Sequence, residues 1–132
     1  MIRRRFLALL LAAAAPSTAS AHHSFAMYDQ TKVVSLTGAV KSFQWTNPHA
    51  VLWILVAPTG GGPAELWPAE LPTSPGNLTR MGWSKSSVNP GDKVTIEINP
   101  LRDGRHGGSL KKVTLVDSGK VLTIGPVAQA KP

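Results

Sequence analysis

No cysteine occurs in this chain of 132 residues. That absence excludes disulfides, thiolate metal sites, covalent haem attachment and cysteine nucleophiles. Exported domains of this size often rely on disulfides, so the fold here must rest on its apolar core. Long apolar runs are missing as well. The longest, Phe6 to Ala15, has ten residues, and a bilayer-spanning helix needs about 20. Acidic residues are few, seven against 14 basic ones. Catalytic signatures are also lacking: no Ser-His-Asp order, phosphate-binding loop or zinc-protease motif appears, and no acid/base pair supports a hydrolase.

The short apolar run has a different use. Arg3, Arg4 and Arg5 precede it, and Ala19-Ser20-Ala21 fits the small-x-small cleavage rule, so residues 1–21 read as a secretory signal peptide. An ordinary Sec signal fits best, although Arg3-Arg4-Arg5-Phe6-Leu7 loosely matches a twin-arginine signal. The expected location is periplasmic or secreted, with no membrane-spanning helix in the mature protein. Removing residues 1–21 takes three arginines and no acid, leaving 111 residues with 11 basic and seven acidic side chains, a net +4. That charge is dispersed, so nucleic acid is not an expected partner.

The mature chain reads as one domain, residues 22–125, followed by a disordered tail, 126–132. Strands are expected over Lys32–Trp45, His49–Ala57, Ala64–Leu71, Lys93–Asn99, Leu110–Val116 and Lys120–Ile124. Gly38 inside the first suggests a bulge or tight bend. Pro68 places the third at an edge or a break. Ser74-Pro75 opens a short helix as N-cap and first helical residue, and Gly82 ends it. Asn89-Pro90-Gly91-Asp92 is a type II turn. Three strands, a short helix and two or three further strands is the element order of a small OB-like β-barrel, all-β with one short helix. A small β-sandwich is the alternative.

Taken together, several motifs resemble a known family. They are His-His-Ser-Phe (His22 to Phe25), Gly-x-Val (Gly38 to Val40), Trp-x-Asn-Pro-His (Trp45 to His49), Gly-Trp (Gly82, Trp83), Pro-Gly-Asp (Pro90 to Asp92) and Pro-x-Arg-x-Gly (Pro100 to Gly104). The pattern is similar to small exported bacterial proteins grouped only as a domain of unknown function. The resemblance implies an exported β-barrel-like domain and no established activity.

The four histidines are His22, His23, His49 and His106. Cleavage after Ala21 makes His22 the first residue, so its amine and Nδ1 can chelate one metal. His49, which follows a turn and begins a strand, is the best third ligand beside His22 and His23. Alternatively His23 binds with the amine and the intervening amide, a planar mode suited to Cu(II) or Ni(II). His106 is a weaker candidate on a polar loop expected to be mobile. Met27 is a candidate soft ligand for Cu(I). Without cysteine, copper is favoured over zinc. The first expectation is therefore an exported binding protein holding copper through His22, His23 and His49. The plainer alternative for these histidines is a solvated terminus, with His49 hydrogen-bonded across its turn.

The rival expectation is a metal-free interaction module. It would bind a periplasmic protein, peptide or small ligand through an aromatic face lined by Trp45 and Trp83, with Trp53 in the core. Arg102, Arg105 and His106 share one loop that suits an anion, although a local pair of Asp103 with an arginine is the commoner arrangement. Glu65 and Glu70 fall on opposite strand faces and form no obvious pair. A copper-dependent oxidative enzyme is a third class, with little room in 111 residues for substrate recognition.

Overall fold

A computed structural model of the protein describes residues 25–125. The expected signal peptide over 1–21, the candidate ligands His22 and His23, and the expected tail 126–132 lie outside those residues.

The strands form where β-branched and apolar residues run between Pro, Gly and Asn punctuation. They are β1 (Val34–Gln44), β2 (Val51–Val56), β3 (Glu65–Glu70), β4 (Lys93–Pro100), β5 (Gly108–Leu115) and β6 (Val121–Thr123). A 3-10 turn, Phe25–Met27, precedes them, and helix α1 (Pro75–Arg80) lies between β3 and β4. The sheet order is β3-β2-β1-β4-β5-β6, with β3 also pairing with β5. Five strands therefore close into an OB-like barrel and β6 adds to its edge, which excludes the sandwich. No helix among the described residues is long and apolar enough to cross a membrane.

Alternation decides what is buried. In β4, Val94, Ile96 and Ile98 are fully buried, while Lys93 is exposed and Thr95 and Glu97 are half-buried. In β2 both faces are apolar, and Leu52, Ile54 and Val56 turn inward. Trp53 thereby faces outward and its indole N–H donates to Gln44 Oε1 at 2.9 Å, which corrects its expected place in the core. Helix α1 starts as expected, with the Ser74 hydroxyl accepting from the Asn77 N–H. It supplies Leu78 to the core that also holds Trp83.

Two bulges break the alternation. The register of β1 on β2 shifts between Val40 and Ser42, leaving Lys41 as the extra residue, so Val40 and Phe43 both face inward. The register of β5 on β4 shifts at Lys111, so Leu110 and Val113, three apart, are both buried. The β1 bulge is thus three residues beyond the glycine expected to mark it. Gly38 serves close approach instead: a Cβ there would lie 2.2 Å from the Leu55 carbonyl oxygen. Gly38→Ala is expected to destabilise the barrel by about 1–3 kcal/mol, as overpacking does. Urea unfolding measures this, and an unchanged midpoint would show that β1 and β2 part freely at this point.

The closure is short. Only Ala69 with Gly108 and Glu70 with Ser109 pair between β3 and β5. Pro68, immediately before, has no N–H to extend the ladder. Gly107 has φ +144, and a Cβ there would meet the Pro68 carbonyl oxygen at 3.1 Å.

Candidate functional site

Strand β3 carries a glutamate at each end, and each engages a histidine. Glu70 pairs across the sheet with Val51, two residues after His49. This register sets the His49 ring beside the carboxylate, and His49 Nδ1 hydrogen-bonds Glu70 Oε1. The other carboxylate oxygen, Oε2, accepts from the Tyr28 hydroxyl at 2.5 Å. Tyr28 is 6% exposed. Burial first, then the hydrogen bond and charge of Glu70, push its hydroxyl well above the ordinary tyrosine range, so it remains a donor. With Glu70 accepting from both sides as a carboxylate, the His49 proton belongs on Nδ1. A carboxylate holding one imidazole nitrogen in this way orients the other toward a metal in many metalloproteins.

Tyr28 reaches Glu70 because residues 26–29 run along the end of β4. Tyr28 bridges Leu101, the Asp29 N–H donates to the Pro100 carbonyl at 2.8 Å, and the Arg102 N–H donates to the Met27 carbonyl at 2.9 Å. Arg102 Nε adds a bond to the Ala26 carbonyl at 3.1 Å. Met27 itself is 43% exposed. On the other side, the Thr46 hydroxyl donates to the His49 carbonyl at 3.1 Å, within the turn that contains a cis Asn47–Pro48 bond.

The second pair lies at the other end of β3. The β3–β5 register, Ala69 with Gly108, brings Trp67 level with His106 when extended back by two residues. The two rings stack with centroids 4.4 Å apart and planes 11° from parallel. His106 Nε2 lies 3.4 Å from Glu65 Oε2. Trp67 Nε1 is buried without a hydrogen-bond partner. Glu65 and Glu70 are five strand steps apart, about 17 Å at 3.3 Å per residue, so His106 does not share a site with His49. The loop is also tied internally, with the Leu101 N–H bonded to the Gly107 carbonyl at 3.1 Å.

The remaining site candidates separate. Arg105 turns to Asp103 at 2.7 Å. The Arg105 backbone N–H and then its side chain hold the Asp103 carboxyl below its ordinary value. Arg102 turns to Ala26, and His106 to Trp67, so the three do not converge on one anion. Trp83 is 2% exposed and its indole N–H donates to the Thr123 carbonyl at 3.0 Å. It belongs to the core and not to an aromatic face, because Gly82 at φ +90 turns the chain inward after α1. Trp45 is half-buried edge-on to Phe43, with centroids 5.7 Å apart.

Among the described residues, no three His, Asp or Glu side chains gather as a metal cluster. Of the three expected copper ligands, only His49 is described. The sequence places Tyr28 on an arm that can cover the His49 groove, but Glu70 as the link between the two is not legible, because its partners lie 21 and 42 residues away. The one available signal was a glutamate at the same strand parity as Val51 and His49, and it needed the β2–β3 register to be read.

No curated protein and no solved structure matches this chain. A family of unknown function, DUF6152, matches residues 9–111, and the chain belongs to that family.

Proposed function

We propose that the protein is exported, is cleaved after Ala21, and holds copper through the His22 amine and imidazole, His23 and His49. The observation that carries this reading is the single carboxylate of Glu70, which binds both Tyr28 and His49. It ties the segment that follows the N-terminal histidines to the histidine that opens β2. Four residues lie between His23 and Tyr28, so the two histidines are close in sequence to the arm that Glu70 anchors, which supports a shared site. Glu70 also places a carboxyl group beside the His49 ring, an outer partner of the kind that supports metal-binding imidazoles. The role is metal carriage, sensing or protection. The metal-free alternative is weakened, because one of the two tryptophans it needs is in the core.

The test is Cu(II) titration of natively processed protein, its N-terminus checked by mass spectrometry, with EPR recorded alongside. The expected result is tight one-to-one binding with a nitrogen-rich signal. Glu70→Gln, which keeps the shape but removes the charge, is expected to weaken binding by about 10–100-fold. Weak wild-type binding that ignores Glu70→Gln would overturn the proposal.

A further inference from the structure

We propose that the outer face of β1, β2 and β3 is a binding platform for a neutral saccharide, with Trp53 as the ring on which a sugar stacks. This surface is independent of the copper reading. It uses none of the proposed metal ligands, and its test is run on metal-free protein.

The barrel has two unlike exteriors. On β4 the outward residues are Lys93, Thr95 and Glu97, and Thr114 and Lys112 of β5 stand opposite the last two. That is the ordinary alternation of a sheet with one face in water. On β2 the outward residues are Val51, Trp53 and Leu55, facing Glu70, Pro68 and Leu66 of β3. Val51, Trp53, Leu55 and Leu66 lie outside both the core and the side chains packed against it. The same register continues onto β1, where Gln44, Ser42 and Ala39 stand beside Val51, Trp53 and Leu55. Contiguous apolar side chains that the core does not use mark a binding surface.

Trp53 is central to this face. Pro68 flanks it on one strand and Ser42 on the other. Its indole N–H donates to Gln44 Oε1 at 2.9 Å. Gln44 is a diagonal neighbour on β1, so the bond holds the ring over the sheet. A ring fixed in advance loses little freedom when a ligand stacks on it. The Ser42 hydroxyl and the Gln44 amide supply polar groups beside the ring, of the kind that orient a ligand.

Charge and size select the occupant. The charged residues of β1, β2 and β3 are Lys41, Glu65 and Glu70. Both Glu70 oxygens are committed, to Tyr28 and His49. Glu65 has the opposite strand parity and lies beside His106. Lys41 is the extra residue of the bulge. The platform is thus uncharged, which does not suit a phosphate or a nucleic acid. Three strands by the four steps from Val51 to Leu55 span about 10 Å by about 13 Å. A stable protein interface takes about 800 Å² from each partner, so this face is too small for a second protein or a second copy of the chain. A pyranose is the complement: an apolar C–H face for the indole, and hydroxyls for Gln44 and Ser42.

The test is NMR titration of metal-free protein with three neutral disaccharides, cellobiose, maltose and N,N′-diacetylchitobiose, and with a sulfated disaccharide for comparison. At least one neutral sugar is expected to shift the Trp53 indole N–H saturably, with millimolar affinity. The amides of Ser42, Gln44 and Leu66 should move with it, while the buried Trp83 indole stays still. Trp53→Ala is expected to weaken binding about tenfold, and Trp53→Phe, which keeps a ring, falls between it and the wild type. Circular dichroism of both should match the wild type, because Trp53 is not part of the core. Should Trp53→Ala fail to fold, Gln44→Ala decides: it releases the ring at an exposed position and should weaken binding severalfold. The proposal is overturned if no neutral sugar shifts the Trp53 indole, or if Trp53→Ala binds as tightly as the wild type. Tighter binding of the sulfated sugar overturns it as well. So do shifts of the same resonances on diluting the protein alone, which would put a second copy on this face.

Discussion

On the proposed copper site, His49→Ala is expected to lower Cu(II) affinity by more than the roughly 10–100-fold that loss of an orienting partner costs, because a ligand itself would be removed. Acetylating the His22 amine is expected to have a comparable effect, since the amine can then no longer close a chelate ring with its imidazole. The two changes remove different donors of the proposed site, so combining them should weaken binding further. Competition titration gives the affinities, and EPR should show one nitrogen fewer in His49→Ala. Identical spectra from wild type and His49→Ala would exclude a shared site and leave copper, if bound, on the terminus alone. The fold should survive His49→Ala, since its ring is part-exposed and makes its bond to Glu70 at the rim of the barrel.

Trp83→Ala acts on stability and not on recognition. The indole is 2% exposed and packs near Phe43, with centroids 6.1 Å apart. Truncating a buried aromatic residue of this kind costs about 3–5 kcal/mol. The loss includes the bond to the Thr123 carbonyl, which ties β6 to the core. Urea unfolding followed by circular dichroism should show a midpoint far below that of the wild type. A midpoint within error of wild type would place the indole at a surface and revive the aromatic face as a binding site.

These two residues mark how far the sequence can be read. Helix α1 was legible because Ser74 and Pro75 have local reasons to start it. Strand β4 was legible because only one of its faces is apolar. Strand β2 defeated the same reasoning, since alternation cannot choose between two apolar faces, and Trp53 was assigned inward. Lys41 and Lys111 hid the inward pairs Val40 with Phe43 and Leu110 with Val113, because an extra residue resets the parity. His49 was visible as a histidine at a strand entrance. The link through Glu70 to Tyr28 was not, because it is made by strand register and arm docking, which no local pattern encodes. Arg102, Arg105 and His106 looked convergent because they are neighbours in sequence. Each instead takes the nearest complementary group: a carbonyl, a carboxylate and an indole face.

The two glutamates of β3 tie the length of this strand to both histidine contacts. Glu65 and Glu70 serve different histidines from the two ends of a six-residue strand. One residue gained or lost between them would turn one carboxylate to the wrong side of the sheet. Relatives that keep both pairs must therefore keep this interval free of insertions and deletions. The glycine-rich connection over residues 57–64, which holds neither glutamate, is free to lengthen or shorten.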